Sequence, residues 1–373
     1  MCIFVSIMKR WFNLILLVIL SIMSAEAEDY YWVGGQGHWS DLNHWRTADN
    51  QIPGEVPDAT DNVIFNENSF VQKNDTIYIL TGNPTCHNMT WINIPDTMII
   101  EGGSDNSSFD IFGSVTLHHK VVNSYTGKIT FLSNNPGNTI LSDGTVFPGN
   151  LIFEGKGEWI LQDELALIDQ DEFDQNFNSK TPSGKGIGLI HHVNGRFDAN
   201  GQTILARNFS TSGSNLRELD LENADIYLTG GWTLNGENLT FQAANSHFYI
   251  VGTMSNTNGD VIQYNDIDFI SSSAGLINQN IETVHRKVYF TGSGSVTGNF
   301  NPGTEGRFTI DTLIFGGHRD ITASLQPVVI TGPGHEIQYT RIDTVNVNFY
   351  VNNGAFHRID INGLYLGTLS EGT

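Results

Sequence analysis

Cysteine is nearly missing from this chain of 373 residues, and of the two present one, Cys2, lies ahead of an apolar N-terminal run. With a leader removed, Cys86 stands alone, so no intramolecular disulfide can form. A chain of this size without such staples must be held by its core and its backbone hydrogen bonds. Basic residues are also scarce: 18 Lys and Arg face 40 Asp and Glu, a net charge of −22. That balance excludes nucleic acid and anionic membrane surfaces as partners, since both select basic patches. No apolar stretch long enough to span a bilayer follows the N-terminus, so no membrane span is expected after leader cleavage. Sustained helical periodicity is absent as well. The best stretch, QDELALIDQDEFDQN at 162–176, is short and lies in Gly-rich surroundings.

The first residues carry the pattern of a secretory signal. Lys9 and Arg10 precede an apolar run at 12–23, and Ala25-Glu26-Ala27 supplies small residues where a signal peptidase cuts. Residues 1–27 are therefore expected to be a signal peptide, and the mature chain to be secreted or displayed at the cell surface. Its 39 Gly and 38 Asn are the two residue types that best tolerate the left-handed backbone of tight turns. The composition is that of a chain that turns often.

Between the turns a short strand signature recurs: an aliphatic residue, any residue, then Phe. It begins at Val63, Ile129, Leu151, Leu239, Ile267, Val288, Leu313 and Val347, and the first three steps are multiples of 22. A strand of about five residues buries one face and is marginal alone. Stacking coils of about 22 residues makes the aliphatic and Phe positions a continuous internal column and pairs each backbone with the coils beside it. The expected fold is all-β, a right-handed parallel β-helix (β-solenoid) over 63–373 with an acidic excursion at 162–186. Tandem β-sandwiches are the alternative that the length also allows.

A solenoid exposes core and unpaired strand edges at its ends. The opening YYWVGGQGHWSDLNHW places Trp32, Trp39 and Trp45 among turn residues just ahead of the first strand signature. Bulky rings there are suited to plug the first coil, so 28–62 is expected to be an N-terminal cap. Each indole N–H is expected to find a carbonyl. Tyr30 and Tyr31, flanking the plug, are the candidate surface residues for binding.

This opening, with the VPDATDNVIFNENSF that follows, resembles the first module of secreted surface proteins of Bacteroidetes-type bacteria, adhesin-like cargo of a type IX secretion route. It is more loosely similar to the start of autotransporter passenger domains. Stretches such as GRFDANGQTILARNFSTSGSNLRELDLENADIYLTGGWTLNGENLTFQA resemble that family's repeats. The resemblance implies a parallel β-helix at the cell surface that presents its surfaces to extracellular glycans or to surface and matrix proteins, without catalysis.

The chemistry-bearing candidates are few. Asp169, Asp171 and Asp174 in the excursion alternate in the manner of a Ca²⁺ loop, but Phe173 and Asp174 stand where a ligand and a turn glycine belong. No other cofactor is expected. His118-His119 and His191-His192, read as strand neighbours, point to opposite faces, so neither pair predicts a zinc site. The competing class is a diverged polysaccharide lyase or glycoside hydrolase, with Asp260, Asp266 and Asp268 as its carboxylates. It requires acidic groups from successive coils to meet in one cleft.

Overall fold

The computed structural model describes residues 27–290, apart from 81, 105, 170, 172, 175–187 and 272–273, and beyond 290 the backbone of further strands. The expected leader up to residue 26, the larger part of the excursion, and Val347 of the strand signature lie outside the described residues.

Among the described residues, apart from a 3-10 turn at Leu42–His44 and helical backbone at 171 and 173–174, regular structure is β. As far as Leu239–Gln242 most coils lay a short strand on each of three faces in turn. The first face is a 10-stranded sheet that includes Asn62–Phe65, Met89–Trp91, Arg217–Asp220 and Leu239–Gln242. The second consists of a 4-stranded sheet ending at Val121–Tyr125 and a 12-stranded sheet opening at Leu165–Ala166. The third is a 13-stranded sheet opening at Thr85–Cys86. Among the described residues only Asp29–Trp32 with Trp45–Arg46 pairs antiparallel. A sandwich is built of antiparallel strands, so the chain is a parallel β-solenoid.

The register shows why the period was visible and where it misleads. Phe197, Leu219 and Phe241 follow one another on the first face at intervals of 22, as do Ile204, Ile226 and Phe248 on the second. The earliest coils are longer, with Val63, Met89 and Val115 spaced by 26. The strand signature does not trace one column. Ile129 and Leu151 are neighbours on the third face, and Ile267, Val288 and Leu313 are neighbours on the second. Val63 and Leu239 belong to the first. Strand alternation places an aliphatic and an aromatic residue inward on any face, so the same triplet marks all three.

The core is aliphatic and aromatic. Phe131 and Phe153 stack from adjacent coils with ring centroids 4.7 Å apart, and Phe209 on Trp232 at 5.0 Å. Cys86 is buried and unpaired, and burial pushes its thiol pKa up. Among the described residues nine Asn and Asp143 adopt positive φ, from Asn50 to Asn280, most of them in turns, a use that Asn tolerates well.

Two irregularities shape the surface. After Val121–Tyr125 the second face lacks a strand for one coil, and the hydroxyl of Thr145 donates to the carbonyls of His118 and Val121 in its place. Farther on, the first face ends at Leu239–Gln242, and the next coil runs as one long strand, Ile262–Phe269, into the second face. Three faces become two. A buried polar chain crosses this junction. Trp232 Nε1 donates to Tyr264 Oη, and Tyr264 Oη to Asn256 Oδ1. Asn256 Nδ2 donates to Asn278 Oδ1, and Asn278 Nδ2 to Thr283 Oγ1. Thr283 Oγ1 lies 2.8 Å from His285 Nε2. His285 is fully buried, its Nδ1 has no partner, and burial lowers its pKa to about 3.

Candidate functional site

The cap comes first in the chain. Trp32, Trp39 and Trp45 are buried, packed on one another and on Phe65 of the first strand signature. Trp32 Nε1 donates to the Gly35 carbonyl and Trp45 Nε1 to that of Trp39. Trp39 Nε1, expected to find a carbonyl too, has no partner, because its ring lies edge-on between Trp45 and Phe109. Strand alternation separates the two tyrosines. Tyr30 is 4% exposed and packs edge-on against Trp45, so it belongs to the plug rather than to the surface where it was expected. Tyr31 points the other way and lines a hollow of about 230 Å³ of mixed character, with Val33, Arg46, Ala48, Asn50 and Asn66.

The larger concavity is a groove of about 760 Å³ along the corner where third-face strands turn into first-face strands. It runs across successive coils, from Asn134 past Lys156, Arg196 and Glu218 to Asn238, Thr240 and Asp260. Glycines make it concave. Gly195 sits at φ +68°, and a Cβ there would lie 2.4 Å from the Gly157 carbonyl oxygen, so no side chain fits. Beneath the floor Arg217 is buried, donating to Thr211 Oγ1 and to the carbonyls of Asn235 and Glu237, which fixes the neighbouring turn.

The outward positions of neighbouring strands bring five charged groups together, of which Glu158, Arg196 and Glu218 line the groove. Arg196 donates to Glu158 (3.0 Å), Asp198 (2.9 Å) and Asp220 (2.9 Å), and its Nε lies 3.3 Å from Glu218, out of hydrogen-bonding alignment. Burial lowers the pKa of this guanidinium, and the carboxylates outweigh it, leaving the pKa above its ordinary value. Burial first, and then the neighbouring Asp220, holds the Asp198 carboxyl above its ordinary range against the Asn200 amide and Arg196. Asp198 and Asp220 accept from the same nitrogen at 2.9 Å each, so those two oxygens lie no more than about 6 Å apart. The carboxylates of successive coils thus do converge, but around a cation that occupies them.

The sequence candidates are distributed otherwise. Asp260 lies at the far end of the groove. Asp266 and Asp268 stand on the outer side of the second face, Asp266 accepting from Arg286 and Asp268 3.3 Å from His247 Nε2. Beside them Tyr227 and Tyr249 stack at 4.4 Å. Asp169, Asp171 and Asp174 are exposed. Among the described residues, the one set of three or more His, Cys, Asp or Glu side chains close enough to share a metal ion lies elsewhere, at His118, His119 and Asp143. His118 and His119 are in a turn rather than a strand, so their rings stack at 4.2 Å instead of diverging. His191 and His192 do alternate on a strand: His191 bonds Ser212 Oγ and His192 the Gly195 carbonyl. No helix among the described residues is long and apolar enough to cross a membrane.

No protein-family model, no curated protein and no solved structure matches this chain.

Proposed function

We propose that this chain is a secreted or surface-displayed, non-catalytic solenoid whose corner groove holds an extended glycan. The groove crossing successive coils is the observation that carries this reading: its length suits a polymer rather than a compact metabolite. Its wall alternates donors (Lys156, Arg196, Asn238) with acceptors (Glu218, Asp260), the complement of a chain of sugar hydroxyls. Binding rather than hydrolysis is favoured by the state of the carboxylates. Glu158, Asp198 and Asp220 all accept from Arg196, whereas a general acid must hold a proton and a nucleophile must be free to attack. The acidic net charge and the resemblance of the opening module to adhesin-like surface proteins agree with this role.

The test is a glycan array followed by affinity electrophoresis of the purified chain in the polysaccharides it selects. Lys156→Ala with Thr240→Ala should weaken retention at least tenfold while thermal unfolding stays unchanged. Retention unaffected by that pair would remove the groove from the reading. Release of new reducing or unsaturated ends from pectin or alginate would overturn its non-catalytic part.

A further inference from the structure

We propose that His118, His119 and Asp143 form a binding site for a divalent transition-metal ion such as Zn²⁺ at the corner joining two coils. One ligand atom from each of the three lies within 4.8 Å of the others. Two imidazoles and a carboxylate are the donor set of Zn²⁺, Ni²⁺ or Cu²⁺, and not of Ca²⁺, which takes oxygen ligands.

The corner is preorganised. Asp143 sits in the left-handed region at φ +46°, in a turn held from the following coil by Asp163. The Asp163 carboxylate accepts from the amides of Ser142 (2.8 Å) and Asp143 (2.6 Å) and from the Ser142 hydroxyl (3.0 Å). Asp143 Oδ2 in turn accepts from the His119 amide and lies 2.9 Å from His119 Nδ1. That last contact is the core of the site. Ligands about 2.0–2.1 Å from a tetrahedral zinc are spaced by about 3.3 Å, so an ion can replace the proton between Nδ1 and Oδ2 with a small expansion. The imidazole keeps one proton, moved through solvent to its outer nitrogen.

The stacked ring of His118 supplies the third donor. Its Nδ1 accepts a long 3.2 Å contact from the Lys120 amide, which yields if that nitrogen turns to the metal. The Lys120 ammonium is engaged away from the site, donating to the carbonyls of Ile94 and Pro95. Water fills the remaining positions. The ion would fasten the 118–119 turn to the 143 turn beside the place where the second face lacks a strand.

Calorimetric titration of the purified chain with ZnCl2 tests this, with CaCl2 as the control. One equivalent of Zn²⁺ should bind, and excess Ca²⁺ should not displace it. His118→Ala, His119→Ala and Asp143→Asn should each weaken zinc by tenfold or more with unchanged circular dichroism. Zinc binding of equal strength in the His119→Ala, Asp143→Asn double variant, or no binding by the wild-type chain, would overturn the proposal.

Discussion

Truncating Trp45 to alanine separates a plug from a sugar platform. The side chain is fully buried, 5.0 Å from Trp32 and 4.9 Å from Trp39 between ring centroids, with Phe65 and Tyr30 just beyond 6 Å. Removing a buried Trp costs about 3–5 kcal/mol through lost transfer energy and the cavity left behind. The upper end is expected here, because the Trp39 carbonyl also loses its 2.8 Å indole donor. The location of the loss is as diagnostic as its size. In a stack where each coil touches only its neighbours, damage at one end stays near that end. Hydrogen exchange should therefore quicken at Asp29–Trp32 and Asn62–Phe65 and remain slow at Arg217–Asp220. Urea unfolding measures the total. A loss below about 1 kcal/mol, or exchange that quickens evenly along the chain, would refute the capping account.

Two further outcomes follow from the described geometry. Gly195→Ala should destabilise by about 2–4 kcal/mol in urea unfolding, since it sets a Cβ 2.4 Å from a backbone oxygen at φ +68°; a change under about 1 kcal/mol would show that the corner is looser than described. His285 and His192 are buried neutral, with burial lowering their pKa values from the ordinary 6.5 to about 3 and about 4. The unfolded chain binds more protons below pH 6.5, so their contribution is complete above that pH and is lost as pH falls toward the folded values. At pH 4.5 each should cost about 2–3 kcal/mol, and His285→Gln should flatten the fall in stability between pH 6.5 and 4.5. An identical slope in that variant would count against the assignment.

The stack itself was legible because turn chemistry and an inward aliphatic-aromatic pair are local properties, repeated at every coil. The plug was legible for the same reason: Trp32, Trp39 and Trp45 lie close in sequence to the strand they cover. Tyr30 was misplaced because the phase of a short strand is fixed by what it pairs with, here Val63, and not by its distance from a tryptophan. The groove wall left a trace in GRFD and RELD, whose charged positions recur at an interval of 22 and bring Arg196 beside Glu218 and Asp198 beside Asp220. Glu158 could not be added from spacing, because the excursion stretches its step to Arg196 to 38. His118, His119 and Asp143 meet only because two corners superpose, and a pattern that treats corners as punctuation passes over them.

The change from three faces to two sets a limit on how this molecule can be lengthened or shortened. Between Phe197 and Phe248 the coils share one interval on two faces. One such unit can in principle be excised or duplicated with both ladders rejoining in phase, so that segment behaves as interchangeable stock. No equivalent operation exists across Leu239–Gln242 and Ile262–Phe269, where a triangular ring would have to be joined to a flattened one. That junction is a fixed splice, and variation in length is confined to either side of it.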